Sequence, residues 1–301
     1  MGAMVNVNGR IANEAHAVIS VFDHGFLYGE GIYETLRTYN GEPFLFDRHM
    51  RRLRTSASML DLPVPLSNDE IAARFDETMR AARLGPVDAA QGKSGGGGEA
   101  YIRLLVTRGI GDLTYDLAAT PEPSFVVIVK PHLDPDPAIY ENGVKVALVD
   151  VVRNHPGTVN PLIKSNNLLN SALAMQEAVK RGAFEGLMRN YRGELAELST
   201  ANIFLVKDGV VLTPPIDAGL LPGITREFVF EVGADAGIPV REQALRDPDL
   251  FGADEAFLTS TTREIVPIVT VDGRAIADGR PGAITRTLLQ KFREKARATG
   301  T

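Results

Sequence analysis

The sequence predicts an α+β protein built from two domains. Three observations carry that expectation. Short strands are joined by hairpin-type turns, as at Asn8-Gly9, Asn40-Gly41 and Asp208-Gly209; amphipathic helices occur without regular strand-helix alternation; and a stretch rich in proline and aspartate interrupts the chain near its middle. At 301 residues the chain is long enough for two cores.

Met1-Gly2-Ala3 precede a second methionine, Met4, and are expected to be an appended leader outside the fold. Residues 5–7 read as a strand entering the Asn8-Gly9 turn, and 32–39 as a second strand. A helix is predicted over 47–60, with Asp47 as N-cap and Met50, Leu53, Ala57 and Leu60 at helical spacing. Another amphipathic helix covers 67–84, and strands follow at 100–107 and 125–129. Residues 131–137, with three prolines and two aspartates, are the expected linker between an N-terminal domain, 4–130, and a C-terminal domain, 138–301. Beyond the linker come a strand at 144–151, a long helix at 166–181 and short strands over 185–213, broken at Arg192-Gly193 and Asp208-Gly209. Helices near 224–236 and 282–297 bracket strands at 239–243, 254–259 and 264–271.

Composition narrows the chemistry. The chain has no cysteine, which excludes disulfides, thiolate metal sites and cysteine nucleophiles; its five histidines are dispersed, so no metal is expected. A formal charge of −6 argues against a nucleic-acid partner. No apolar run approaches the roughly 18 residues of a membrane span, and the cytoplasm is the expected location. Gln91-Gly92-Lys93-Ser94 and the glycines Gly95 to Gly98 suggest a phosphate loop, but the first glycine of that motif would fall at Val87, so a flexible surface loop is expected instead. The Gly-x-Gly of Gly29-Glu30-Gly31 lacks the third glycine of a dinucleotide loop, which would fall at Glu34.

Five segments carry candidate chemistry. Lys164 lies in Asn160-Pro161-Leu162-Ile163-Lys164-Ser165-Asn166-Asn167-Leu168-Leu169, just ahead of a predicted helix; a lysine in partly apolar surroundings can attack carbonyls through its neutral amine. Lys207, in a solvated hairpin, shows the ordinary case. Glu197, in Glu194-Leu195-Ala196-Glu197-Leu198-Ser199-Thr200-Ala201-Asn202-Ile203-Phe204, could keep a pyridine nitrogen protonated. Leu221-Pro222-Gly223-Ile224-Thr225-Arg226 enters a helix whose first N–H groups suit a phosphate. Thr259-Ser260-Thr261-Thr262 offers further hydroxyls, and Arg52, within the run Arg48, Arg51, Arg52 and Arg54, a fixed positive charge.

In this order, these segments resemble the fold-type IV pyridoxal-phosphate enzymes, or class IV aminotransferases. The family includes branched-chain and D-amino-acid aminotransferases, aminodeoxychorismate lyases and R-selective amine transaminases. The resemblance runs from Asn6 to about Phe292, and its specificity lies in the co-occurrence of Lys-Ser-Asn-Asn-Leu-Leu, Glu-Leu-Ser-Thr-Ala-Asn-Ile-Phe, Leu-Pro-Gly-Ile-Thr-Arg and the block Phe257-Leu258-Thr259-Ser260-Thr261-Thr262-Arg263-Glu264-Ile265. It implies a small N-terminal α/β-sandwich domain and a larger C-terminal pseudo-barrel domain, assembled as a homodimer or higher homo-oligomer. It also implies that Lys164 carries pyridoxal 5'-phosphate as a Schiff base and shuttles a proton, that Glu197 faces the ring nitrogen, and that Arg52, the N–H groups of Ile224 and Thr225, and Thr261 hold the phosphate.

For substrate, Phe26-Leu27-Tyr28-Gly29-Glu30-Gly31-Ile32-Tyr33-Glu34-Thr35-Leu36-Arg37 and Ala100-Tyr101-Ile102-Arg103 look like branched-chain aminotransferases. The resemblance implies substrate contacts from Tyr28, Tyr33, Arg37, Tyr101, Arg103, Ser260 and Thr262, with Arg103 and Tyr28 gripping the distal carboxylate of glutamate or 2-oxoglutarate. Ping-pong transfer from a branched-chain or hydrophobic L-amino acid is the leading expectation. Some positions depart from that pattern. Leu168 and Leu169 stand where a tyrosine is expected, Tyr33 resembles D-amino-acid enzymes, and Thr35 resembles the lyases. Against the D-enzymes, Gly111-Asp112-Leu113-Thr114-Tyr115 has no counterpart of their Arg-x-His pair; against the lyases, Arg103 stands in a full Tyr-x-Arg context. D-amino-acid or R-amine transamination and lyase activity stay open. From other classes, a silent phosphate-binding domain would need neither Lys164 nor Glu197, and a hydrolase using Glu194 and Glu197 would leave the phosphate-binding segments without a use.

Overall fold

The computed structural model describes residues 2–84 and 98–299, so the Gly-Lys-Ser segment and, apart from Gly98, the glycine run fall outside the described residues. The chain divides into two compact units. Unit 1 draws on Met1–Leu133, Ile163–Asn167 and Ala296–Thr301, and unit 2 on Asp134–Leu162 and Leu168–Lys295. The units part between Leu133 and Asp134, inside the stretch read as a linker, but the C-terminal domain expected over 138–301 is not continuous. The short segment that carries Lys164 belongs to unit 1 although the chain on either side of it belongs to unit 2.

Unit 1 is built on an antiparallel sheet of β1 (Met4–Val7), β2 (Arg10–Asn13), β3 (Gly31–Tyr39), β4 (Glu42–Pro43), β5 (Ala100–Thr107) and β6 (Ser124–Pro131), in the order β2-β1-β6-β5-β3-β4. The four-residue α1 (His24–Leu27) precedes β3, and α2 (Phe46–Ser58) and α3 (Asn68–Ala81) follow β4. Alternation along the strands sends Ile32, Leu36, Ile102, Leu104, Val127 and Val129 to one face, where Met50, Leu53, Ile71 and Phe75 from the helices complete the core. Each such side chain contributes roughly 1.5–3 kcal/mol by leaving water. Helix α3 starts as its sequence suggests, with Ser67 and Glu70 forming a reciprocal capping box. Helix α2 does not. Its N-cap is Leu45, in the left-handed region at φ 52°, and Asp47 sits inside the first turn, where its charge meets the positive end of the helix rather than capping it.

Unit 2 contains α4 (Ala138–Glu141), β7 (Val144–Leu148), α5 (Leu169–Lys180), β8 (Glu185–Arg189), β9 (Leu195–Leu198), β10 (Asn202–Lys207), β11 (Val210–Thr213), α6 (Ile224–Ala236), β12 (Val240–Glu242), α7 (Asp247–Phe251), β13 (Glu255–Ser260), β14 (Glu264–Val271), β15 (Arg274–Ala275) and α8 (Ala283–Thr299). Its strands form one mixed sheet in the order β12-β11-β10-β13-β14-β7-β8-β9, with β15 paired to β14. Val146, Leu187, Ile203, Leu205, Leu258 and Val266 pack on one face, and Ala147, Val149 and Met188 meet α5 on the other. Helix α5 begins three residues later than the sequence suggests. Residues before it are used elsewhere: Ser165 bridges to Ile32 and the Asn166 N–H donates to the Gly31 carbonyl at 3.0 Å.

Candidate active site

In unit 1 the face of the sheet turned away from the helices carries the predicted substrate residues. Tyr33, Thr35 and Arg37 alternate along β3, and the register sets Arg103 beside Thr35 and Tyr101 beside Arg37. The Arg103 guanidinium lies 4.1 Å from the centre of the Tyr33 ring, and Lys130 Nζ 4.9 Å from that of Tyr101. Arg37 is placed differently. It is buried, with its guanidinium 4.2 Å from the Tyr39 ring centre and its Nε donating to the Thr38 carbonyl at 3.4 Å. Tyr28 lies off this face, at the end of α1, packed edge-on against His24 and tilted against Tyr115.

Lys164 is mounted on the open edge of β3. Strand β4 pairs only with Thr38 and Tyr39, which leaves the start of β3 free on that side. The 164–166 segment takes the place: the Lys164 carbonyl accepts the Tyr33 N–H at 2.9 Å, and its own N–H donates to the Ser56 hydroxyl of α2 at 3.1 Å. Its Nζ lies 4.4 Å from the centre of the Tyr33 ring, so Lys164 and Arg103 share one aromatic neighbour. Gly31 makes the close approach possible, since a Cβ there would stand 3.0 Å from both the Asn166 Oδ1 and the Val106 carbonyl oxygen.

Arg52 is the centre of a buried charge cluster. Its Nε and Nη2 donate to the two Glu34 oxygens at 2.8 and 2.7 Å, and Glu34 Oε2 also lies 2.7 Å from His49 Nδ1. Burial alone would raise the Glu34 carboxyl, but the charges and hydrogen bonds of Arg52 and His49 outweigh it and hold it at about 2. Burial lowers His49, against the pull of Glu34 and with the help of the Arg52 and Lys164 charges. Both folded values lie below the free ones, so this stability is complete at neutral pH. It declines as pH falls below 6.5, where unfolded His49 protonates, and again from 4.5 toward about 2, where Glu34 must protonate. Urea midpoints measured between pH 7 and pH 3 should follow that course, and Glu34→Gln should flatten the lower limb.

In unit 2, Glu197 ends in a network of its own. Its Oε1 takes the Arg153 Nε–H at 2.7 Å; its Oε2 takes the Asn202 amide at 3.2 Å and the Leu221 N–H at 3.1 Å. Arg153 is in turn held by Asn170, 3.0 Å from Nη1. Asn202 also donates to the Leu221 carbonyl at 3.1 Å, and its Oδ1 would stand 2.0 Å from a Cβ on Gly223, so only glycine fits there. That contact brings the start of α6 to Glu197. Among the described residues no side chain caps α6, whose first residues, Ile224 and Thr225, are buried. Across from Asn202 in the register is Thr259, whose buried hydroxyl has no partner among the described residues, and beyond it the half-buried Ser260, Thr261 and Thr262 turn into β14.

Each unit thus groups its own candidates: Lys164, Tyr33 and Arg103, with Arg52 on the neighbouring helix, in unit 1, and Glu197, Ile224, Thr225 and the 260–262 hairpin in unit 2. Sequence reading missed Glu34, His49 and Ser56 in the first group and Arg153 and Asn202 in the second. Helical spacing could have set His49, Arg52 and Ser56 on one side of α2. Arg153 follows an unremarkable strand, and nothing local marks it.

Residues 31–271 match the family described as Amino-transferase class IV. The chain belongs to the class IV aminotransferases. A protein of Methanocaldococcus jannaschii, provisionally named a branched-chain-amino-acid aminotransferase, is 39% identical over 96% of this chain and 95% of its own length. D-alanine aminotransferase of Listeria monocytogenes is 33% identical over 97% of this chain and 95% of its own. The solved branched-chain aminotransferase of Thermoproteus uzoniensis, in complex with norvaline, superposes with a TM-score of 0.88 and 32% identity, covering 99% of this chain and 96% of that one. This class IV aminotransferase has the mixed α+β fold of those structures, and pyridoxal phosphate is its cofactor. The residues present suit that group: the uncapped α6 and the unpartnered Thr259 hydroxyl offer donors to a phosphate, Glu197 a carboxylate to a ring N–H, and Lys164 an amine to an aldehyde.

Proposed function

We propose that the enzyme transfers the amino group of a hydrophobic or branched-chain L-amino acid to 2-oxoglutarate in two half-reactions through a shared site. The observation that carries this reading is the strand face on which Arg103 packs over Tyr33 beside Tyr101, within reach of Lys164. A fixed guanidinium among tyrosines suits a distal carboxylate, and the aromatic faces suit an aliphatic side chain when that carboxylate is absent. The solved relative that holds norvaline supports the same donor class.

In this reading Lys164 is the covalent attachment point, and its freed amine takes the proton from the donor's α-carbon and returns it on the far side of the transfer. Pyridoxal phosphate, when bound, supplies the electron-withdrawing ring. Glu197, oriented by Arg153 and Asn202, holds a proton on the ring nitrogen. The α6 N–H groups of Ile224 and Thr225, with Thr261 and Arg52, receive the phosphate, and Tyr28, Arg37, Ser260 and Thr262 contribute to the substrate side. Of these cofactor residues, Glu197, Ile224, Thr225 and Thr261 belong to unit 2, and Lys164 and Arg52 to unit 1.

The enzyme works in the cytoplasm as a homodimer or higher homo-oligomer. Unit 1 supports the assembly by exposing Val18, Val21, Phe22, Phe26, Leu113 and Tyr115, an apolar surface of the kind a second copy covers. Among the described residues no helix is long and apolar enough to cross a membrane.

Several relatives named D-alanine aminotransferase, that of Listeria monocytogenes among them, favour a second reading in which the donor is a D-amino acid. Mixing the cofactor-loaded enzyme with one donor at a time and following the cofactor's absorbance separates the two. L-Leu and L-Val should convert it within seconds, and D-Ala and R-1-phenylethylamine at least about a hundredfold more slowly, a gap of roughly 3 kcal/mol. Conversion by D-Ala but not L-Leu refutes the L-donor reading.

A further inference from the structure

The hairpin between β13 and β14 is tied down by a residue outside the roles assigned above. Arg263 folds back across the turn: its Nε donates to the Ser260 hydroxyl at 3.1 Å and its Nη2 to the Thr200 hydroxyl at 2.7 Å. The same Nη2 lies 2.8 Å from Glu185 Oε1, and Glu185 is fully buried. The Glu185 carboxylate also accepts the Thr200 N–H at 3.1 Å and the Thr200 hydroxyl. On the outer side, the Tyr140 hydroxyl donates to the Arg263 carbonyl at 3.2 Å. The turn closes on Glu264 in the left-handed region, φ 58°, a conformation unfavourable for a residue with a Cβ, so the surroundings must enforce it. Ser260, Thr261 and Thr262 therefore sit in a loop clamped at one end by a guanidinium on a buried carboxylate and at the other by a strained residue.

We propose that Arg263 is a positioning residue that holds this hairpin ready for the phosphate group, and so sets the enzyme's preference for phosphorylated over unphosphorylated cofactor. The inference rests on the reading that Thr261 receives the phosphate. A loop fixed before binding makes its contacts without an ordering cost; a loosened one must be ordered by the ligand. That cost falls on phosphate binding alone, because the ring and aldehyde of pyridoxal and of pyridoxal phosphate are alike.

The test is equilibrium titration of the cofactor-stripped full-length enzyme with pyridoxal phosphate and, separately, with pyridoxal, for the wild type, Arg263→Ala and Arg263→Lys, with melting temperatures recorded alongside. In the wild type the phosphate should confer a large affinity advantage. Arg263→Ala should cut that advantage about tenfold while leaving pyridoxal affinity nearly unchanged, and Arg263→Lys, which keeps the charge but not the three-way reach, should fall between. A merely structural role would lower melting temperature, or weaken both ligands alike, and leave the ratio unmoved; an unmoved ratio in Arg263→Lys and Arg263→Ala overturns the proposal. If the wild type binds pyridoxal as tightly as pyridoxal phosphate, the phosphate reading itself fails, and the role of Arg263 with it.

Discussion

Replacing Lys164 with alanine should lower transamination by about 10⁴-fold or more while leaving the fold nearly as stable as before. The second half of that expectation follows from how the lysine is mounted. Its N–H is held by Ser56 and its carbonyl by the Tyr33 N–H, neighbouring Ser165 and Asn166 bridge to β3, and none of these bonds uses the side chain. The variant loses one ring contact to Tyr33 at a partly exposed position, which costs about 1 kcal/mol at most. Three measurements check it: steady-state transamination, borohydride reduction of the loaded protein followed by mass analysis, and thermal melting of the stripped protein. The variant should show no covalent cofactor after reduction and an almost unchanged melting curve. Activity within tenfold of the wild type would remove Lys164 from the chemistry, whereas a collapsed melting curve would mean that the segment depends on its side chain in a way the hydrogen bonds do not explain.

The way Lys164 is held also shows what a sequence can and cannot say about such a site. The strand over 32–39 and the helices over 67–84 and 224–236 were legible from local signals: the Asn40-Gly41 turn bounds the strand, 67–84 is amphipathic, and Ser67 and Glu70 spell out a cap three residues apart. The start of α6 was legible for the same local reason, a glycine before an apolar helix. Residues 166–168 looked helical because propensity is local, yet Asn166 is taken by β3, a partner more than a hundred residues earlier. Leu45 shows the same limit. Nothing in its chemistry marks a left-handed N-cap, and Asp47 two residues later is the better cap on paper. The networks around Glu197 and Arg52 join residues from distant strands and helices, so no window along the chain displays them. Glu34 is the extreme case: alternation along β3 puts it on the same helix-covered face as Ile32 and Leu36, where a carboxylate survives only because Arg52 and His49, from a different element, meet it.

That dependence makes Glu34 the position with the largest expected effect on stability. Glu34→Ala removes the carboxylate but leaves the Arg52 guanidinium in place, 8% exposed, facing a cavity that water reaches poorly. Breaking a buried pair by removing one partner costs about 3–5 kcal/mol, because the charge left behind loses its main compensation. Urea unfolding followed by a probe in unit 1 should show that loss. Glu34→Gln, which keeps the shape and one acceptor, should cost less. The double variant Glu34→Leu with Arg52→Met separates stability from function: swapping the whole pair for apolar side chains of similar size should restore much of the lost stability. If Arg52 also receives the phosphate, that well-folded double variant will still bind pyridoxal phosphate poorly. If it binds the cofactor as tightly as the wild type, the cluster serves the fold alone, and the positive charge for the phosphate must come from elsewhere than α2.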